Sequence, residues 1–118
     1  MSKIDADSPA VSKADTNQHD RPSDGPWQST DLLEFNGIKV RHRIMQDAEA
    51  RWHTHRGSAE FFLILSGEVT IDIRRGEEIS SHTLRQGQML AVHPGNEHRA
   101  RCKGRATLVV MDAIERLG

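Results

Sequence analysis

HTHRGSAEFFLILSG, residues 53–67, is the stretch that decides how this chain is read. It opens with His53 and His55, one residue apart, and an extended backbone sends two such side chains to the same face. Arg56, Gly57, Ser58 and Ala59 then suffice for a tight loop, with a glycine to turn it. Glu60 starts an apolar run over residues 61–65 that ends at a Ser66-Gly67 turn. Two imidazoles and a carboxylate brought to one wall of a pocket are three quarters of a transition-metal site. The fourth candidate is His98, at the end of GQMLAVHPGNEH, residues 87–98.

The segments on either side read as strands. Residues 38–44, IKVRHRI, alternate strictly between apolar and basic, which marks a half-buried strand. His42 falls on the apolar face with Ile38, Val40 and Ile44, either as a hydrogen-bonded core histidine or as a pocket-lining one. Glu60 shares a face with Phe62 and Ile64, whereas Phe61, Leu63 and Leu65 take the other. A strand apolar on both faces is buried on both. Val69, Ile71 and Ile73 face inward in the next strand, between charged or polar neighbours. Turns at Gly76, Gly87 and Gly95 separate further strands over residues 79–85, 89–92 and from His98, with a last one over 106–111. Many short strands without a long helical period predict an all-β sandwich or barrel. Cys102 follows the parity of His98 and Ala100 and reads as a small inward-facing apolar residue. Arg51, Arg99 and Arg101 have the opposite parity and are expected on a solvated face. His82 and His93 read as turn or surface histidines.

The two histidine stretches together resemble the paired motifs of the cupin superfamily. The first motif runs Gly, five residues, His-x-His, three or four residues, Glu, six residues, Gly. His53, His55, Glu60 and Gly67 fit it with the correct gaps, and Asp47 stands where the leading glycine belongs. The second runs Gly, five residues, Pro-x-Gly, two residues, His, three residues, Asn. Gly87, Gly95 and His98 match, while His93 holds the proline place, Pro94 is shifted by one, and Cys102 holds the asparagine place. The resemblance covers roughly residues 30 to 112. It implies a single small cupin-type β-barrel, that is, a double-stranded β-helix or jelly roll, with His53, His55, Glu60 and His98 as ligands of one divalent metal.

Composition bounds what else the chain can be. Its 118 residues make room for one domain. Residues 1–26 are rich in Asp, Ser, Lys and Pro and are expected to form a disordered or loosely packed extension, leaving residues 27–118 as the barrel domain. Trp27, the first large apolar residue, is placed to pin that extension. The formal net charge is −1 and no basic block stands out, which argues against nucleic acid or a membrane surface as partner. No apolar run approaches the roughly 20 residues of a membrane span. The N-terminus lacks the apolar core of a signal peptide, and a single cysteine suits a reducing, cytoplasmic location. The chain has no tyrosine, so no phenol can act as acid or base.

Imidazole donors suit Zn, Fe, Ni and Cu, and a carboxylate adds tolerance for Mn. Three neutral imidazoles and one carboxylate leave a divalent ion with net positive charge. Glu60 could alternatively stand off the metal as a general base. By resemblance, the expected function is a metal-dependent dioxygenase-like oxidoreductase or an isomerase acting on a small molecule; the alternative is a noncatalytic cupin that binds or senses a small ligand. Apolar lumen side chains (Phe62, Ile64, Val69, Ile71, Ile73) suit a hydrophobic substrate and equally a plain core. Phe61, Leu63 and Leu65 need cover outside the lumen, which points to a homodimer.

Overall fold

Asn36 and Gly37 both take positive φ (50° and 72°), the twist that closes a two-residue hairpin between right-twisted strands. They join β1 (Trp27–Phe35) to β2 (Ile38–Glu49) in the computed structural model, which describes residues 10–19 and 25–114. Five more strands follow: β3 (Glu60–Ser66), β4 (Glu68–Arg75), β5 (Glu78–Arg85), β6 (Met89–Val92) and β7 (Glu97–Ala113). A short 3-10 turn over Thr16–His19 is the sole helical element among the described residues, and no helix is long and apolar enough to cross a membrane. Residues 1–9 and 20–24, most of the expected loose extension, lie outside the described residues.

All the strand pairs are antiparallel and centre on β7. Its first half pairs with β4, which carries β5, and its second half lies between β2 and β3, with β1 beyond β2 and β6 beyond β3. The result is a β-sandwich of jelly-roll type. One 17-residue strand therefore replaces the two separate strands expected around His98 and over residues 106–111. The strand turns from one sheet to the other at Gly104 (φ 72°), where its register with β2 shifts across Asp47. Asp47 itself has φ 46°, and its Oδ1 accepts a 2.7 Å hydrogen bond from the Gly104 amide. The first motif has a glycine at this place because the backbone is left-handed here. Aspartate is among the few side chains that tolerate this conformation, and its carboxylate fastens the facing corner.

The core fills the space between the sheets with Met45, Phe62, Ile64, Val69, Ile71 and Leu108, all almost fully buried. Cys102 joins them, as its parity predicted. The faces of β2 are the reverse of the simple expectation. Met45 pairs with Ala106 and Arg43 with Leu108, both core residues, so the basic parity of β2 looks inward. The apolar parity (Val40, His42, Ile44) is buried on the outer side with Val109, and His42 lies away from the histidine cluster. The outer face of the second sheet is polar, carrying Asp72, Arg99 and Arg101.

Candidate metal centre

His53 and His55 do not sit on a sheet strand. Residues 50–59 cross between β2 and β3, held by an isolated antiparallel bridge in which His53 and His98 exchange backbone hydrogen bonds of 2.9 and 2.8 Å. The Gly95 amide also donates to the His55 carbonyl at 2.8 Å. The local backbone is still extended enough that both rings reach one point. Trp52, just before them, packs against the guanidiniums of Arg74 and Arg99, 4.3 and 4.5 Å from its ring centroid. These cation–ring contacts tie the segment just before the first histidine to β4 and β7. Glu60 opens β3, paired with Val92, and His98 sits near the start of β7, paired with Ile73.

These elements bring the four side chains together. One ligand atom from each of His53, His55, Glu60 and His98 lies within 4.8 Å of every other, so they are positioned to hold a metal ion. Burial grades across the cluster: Glu60 and His98 are buried, His55 is intermediate and His53 is the most open. The centre thus has a dry floor and an open side.

The hydrogen bonds test whether the donor set fits a cation. His98 Nδ1 donates to the Asn96 carbonyl at 2.9 Å, and His53 Nδ1 to the Arg51 carbonyl at 3.0 Å. A carbonyl only accepts, so each Nδ1 carries the proton and, in the neutral ring, Nε2 presents a lone pair. Those Nε2 atoms lie 3.0 and 3.5 Å from Glu60 Oε1, and His55 Nε2 lies 3.2 Å from Oε2. Lone pairs facing a carboxylate repel unless a cation, either ring protons or a metal, lies among them. Donors bound to one ion at about 2.0–2.2 Å are separated from each other by about 3.0–3.5 Å, so the spacing fits a shared metal. The carbonyl bonds at Nδ1 are also the outer partners that orient metal-bound histidines.

Burial pushes the Glu60 carboxyl up, whereas His53 and His98, in the ion-free state where their Nε2 atoms carry protons, hold it below the usual carboxylate range. The same contact with Glu60 raises the His53 imidazolium, with partial burial pulling the other way. Glu60 lies at the centre of the three imidazoles.

Other singled-out residues fall elsewhere. His82 and His93 are exposed, and Arg51 is exposed beside the cluster. Arg99 and Arg101 do lie on the outer face, but as partners of buried Asp72 and not as a free solvated surface. Sequence reasoning missed Arg43, which the β2 register turns toward the interior. The usable signal was Met45, a large apolar residue of the same parity as Lys39, Arg41 and Arg43.

A jelly-roll barrel with three histidines and a glutamate converging inside it defines a metal-site β-barrel of cupin type. A family model described as "Cupin domain" matches residues 40–114, and the chain belongs to that family. No curated protein matches the sequence. Among solved structures, the chain is similar to protein TT1209 from Thermus thermophilus (TM-score 0.73, 21% identity, covering 87% of this chain and 97% of that one). It is also similar to KdgF from Halomonas sp. (TM-score 0.72, 12% identity, 91% and 96% covered). A cupin-2 domain protein from Shewanella frigidimarina gives a TM-score of 0.68 at 22% identity, with 78% and 85% covered. At such identities these likenesses establish the fold alone.

Proposed function

We propose that this protein is a metal-dependent small-molecule cupin that holds one divalent transition-metal ion on His53, His55, Glu60 and His98 and acts as a dioxygenase-like oxidoreductase. The observation that carries the reading is the convergence of three imidazole Nε2 atoms on one buried carboxylate at 3.0–3.5 Å. His98 and Glu60 supply the buried side of the centre, and His53 and His55 its open side. A bound ion there supplies Lewis-acid and redox chemistry at the positions the protein leaves open. Oxidation is favoured over isomerisation because isomerisation needs a residue that takes and returns a proton. The chain has no tyrosine, and both oxygens of Glu60 are engaged by the three histidines, which suits a metal ligand better than a proton carrier.

The test is elemental analysis of protein purified without added metal, followed by oxygen-uptake screening against small organic substrates. One equivalent of a transition metal is expected, falling sharply in the His55→Ala, His98→Ala double variant, with a lower melting temperature in both variant and chelated parent. Glu60→Gln should lose less, since a neutral oxygen still coordinates but contributes no charge. Full metal occupancy in the double variant would remove the centre from these residues. Tight small-ligand binding without turnover would assign the protein to the noncatalytic, sensor class.

A further inference from the structure

We infer that Arg43 anchors a carboxylate of the small molecule that the metal centre handles, so that the substrate is an organic monoanion. The inference rests on the reading of the four-residue cluster as the functional centre. Charge is unbalanced on the inward face of β2. Lys39, Arg41 and Arg43 follow one another on that face, in register with Asp112, Val110 and Leu108 of β7. Lys39 lies 3.3 Å from Asp31, and Arg41 is bracketed by Asp31 at 3.4 Å and Asp112 at 2.9 Å. Arg43, partly exposed like the other two, has no carboxylate within ion-pair distance among the described residues.

What Arg43 does have is a mount. Its Nε donates to Ser29 Oγ at 3.4 Å, and its guanidinium lies 5.3 Å from the centroid of the Trp27 ring. Both partners stand on β1, opposite Arg43 and Met45 in the ladder. The indole covers one face of the guanidinium and the hydroxyl takes the Nε edge, which leaves the terminal nitrogens to a ligand. Register places Arg43 on the same interior as the cluster: it lies opposite Leu108, Leu108 lies opposite Ile64, and Ile64 shares the buried face of β3 with Phe62 and Glu60, whose charge raises the proton affinity of Arg43. Burial nevertheless dominates and pulls the guanidinium below the ordinary arginine range, as it does for a cation short of a counter-charge. A partly desolvated cation is costly until it is paired, so an arginine left without a carboxylate on this inward face is suited to an anionic ligand. One guanidinium fork matches one planar carboxylate in geometry and charge, whereas a phosphate dianion would keep a negative charge uncompensated.

The experiment uses the full metal-loaded chain and follows binding of acetate and benzoate, with benzamide as the uncharged control and inorganic phosphate as the competing anion. Benzoate should bind the parent more tightly than benzamide or phosphate, and Arg43→Gln should weaken benzoate binding by about tenfold or more while leaving benzamide unchanged. Arg43→Lys, which keeps charge but loses the fork, should fall between them. Metal content of Arg43→Gln should equal that of the parent, and its melting temperature should hold or rise because an unpaired cation has been removed. Equal benzoate affinity in parent and Arg43→Gln would overturn the inference, since any carboxylate bound would then be bound by the metal alone. So would failure of both carboxylates to bind, preference for phosphate, or a large loss of stability, which would make Arg43 a structural residue. Metal content separates the two claims: Arg43-dependent benzoate binding in a protein without metal would spare this inference and sink the metal reading, and the converse would do the opposite.

Discussion

Asp72 is the most heavily engaged carboxylate outside the histidine cluster. It is buried on the outer face of its sheet, where Ser81 donates to it at 2.7 Å and Arg99 and Arg101 each donate through Nε at 2.9 Å. Burial alone would raise its carboxyl, but Arg101, Ser81 and Arg99 together bring it down from 3.8 to about 2. A folded-state value below the unfolded one contributes stability that is complete above the unfolded value, near 3.8, and is lost as pH falls through about 2. Because Arg101 is 42% exposed, solvent screens part of this, and the contribution is about 1–2 kcal/mol. Asp72→Asn should therefore destabilise the protein by about that amount at neutral pH and flatten the stability profile between roughly pH 4 and 2. Urea denaturation of both proteins across that range checks it, and parallel profiles would show that the ion pairs are energetically idle. Sequence could single out His53, His55, Glu60 and His98, which the fold brings together, because a metal-binding motif imposes both residue type and spacing. It could not identify Asp72 or Arg43 as special, because an ionic partner across a sheet depends on which residues the register places opposite each other.

Register is decided at the level of the strands, and there Gly67 is the tightest point. It ends β3's turn into β4 with φ 78°, and a Cβ on it would overlap the carbonyl oxygen of Arg105 and crowd the Cα of Ala106 at 2.9 Å. Both obstacles are backbone of β7, so neither can swing aside. Gly67→Ala should cost roughly 3 kcal/mol or more through backbone strain and overpacking combined. Denaturant unfolding measures this directly, and a loss below about 1 kcal/mol would mean that β3 and β7 can move apart. The alternation in β3 and β4 was legible because every inward residue there except Glu60 is apolar. β1 was not anticipated, although Asn36-Gly37 is a strong hairpin signal, because its own apolar alternation is weak. The unity of β7 was also hidden: Lys103, Gly104 and Arg105 look like a turn, and only pairing of both halves with β2 keeps the strand continuous.

At the scale of the whole molecule the two outer faces differ in chemistry. The sheet bearing Asp72, Arg99 and Arg101 satisfies its charges internally and needs no cover. The other presents Phe61, Leu63 and Leu65, each only half-buried, and beside them on β6 Met89, which is 60% exposed. A barrel of this size has a modest core, so leaving that strip in water forgoes stabilisation that a second copy could supply. Sheet-on-sheet packing about a two-fold axis would bring the strip against itself. We therefore expect a homodimer built on the β3–β6 face. Leu63, central in that strip, would lie close to the axis, where Leu63→Glu sets two like charges in an apolar contact and should weaken association by about 100-fold or more. The inward face of β3 is untouched by this change, so metal content should stay at the parent's level while the melting temperature drops with loss of the partner. Light scattering over a wide concentration range distinguishes the outcomes. A parent that is monomeric throughout would refute the dimer, and a Leu63→Glu variant that stays dimeric would place the contact on another surface.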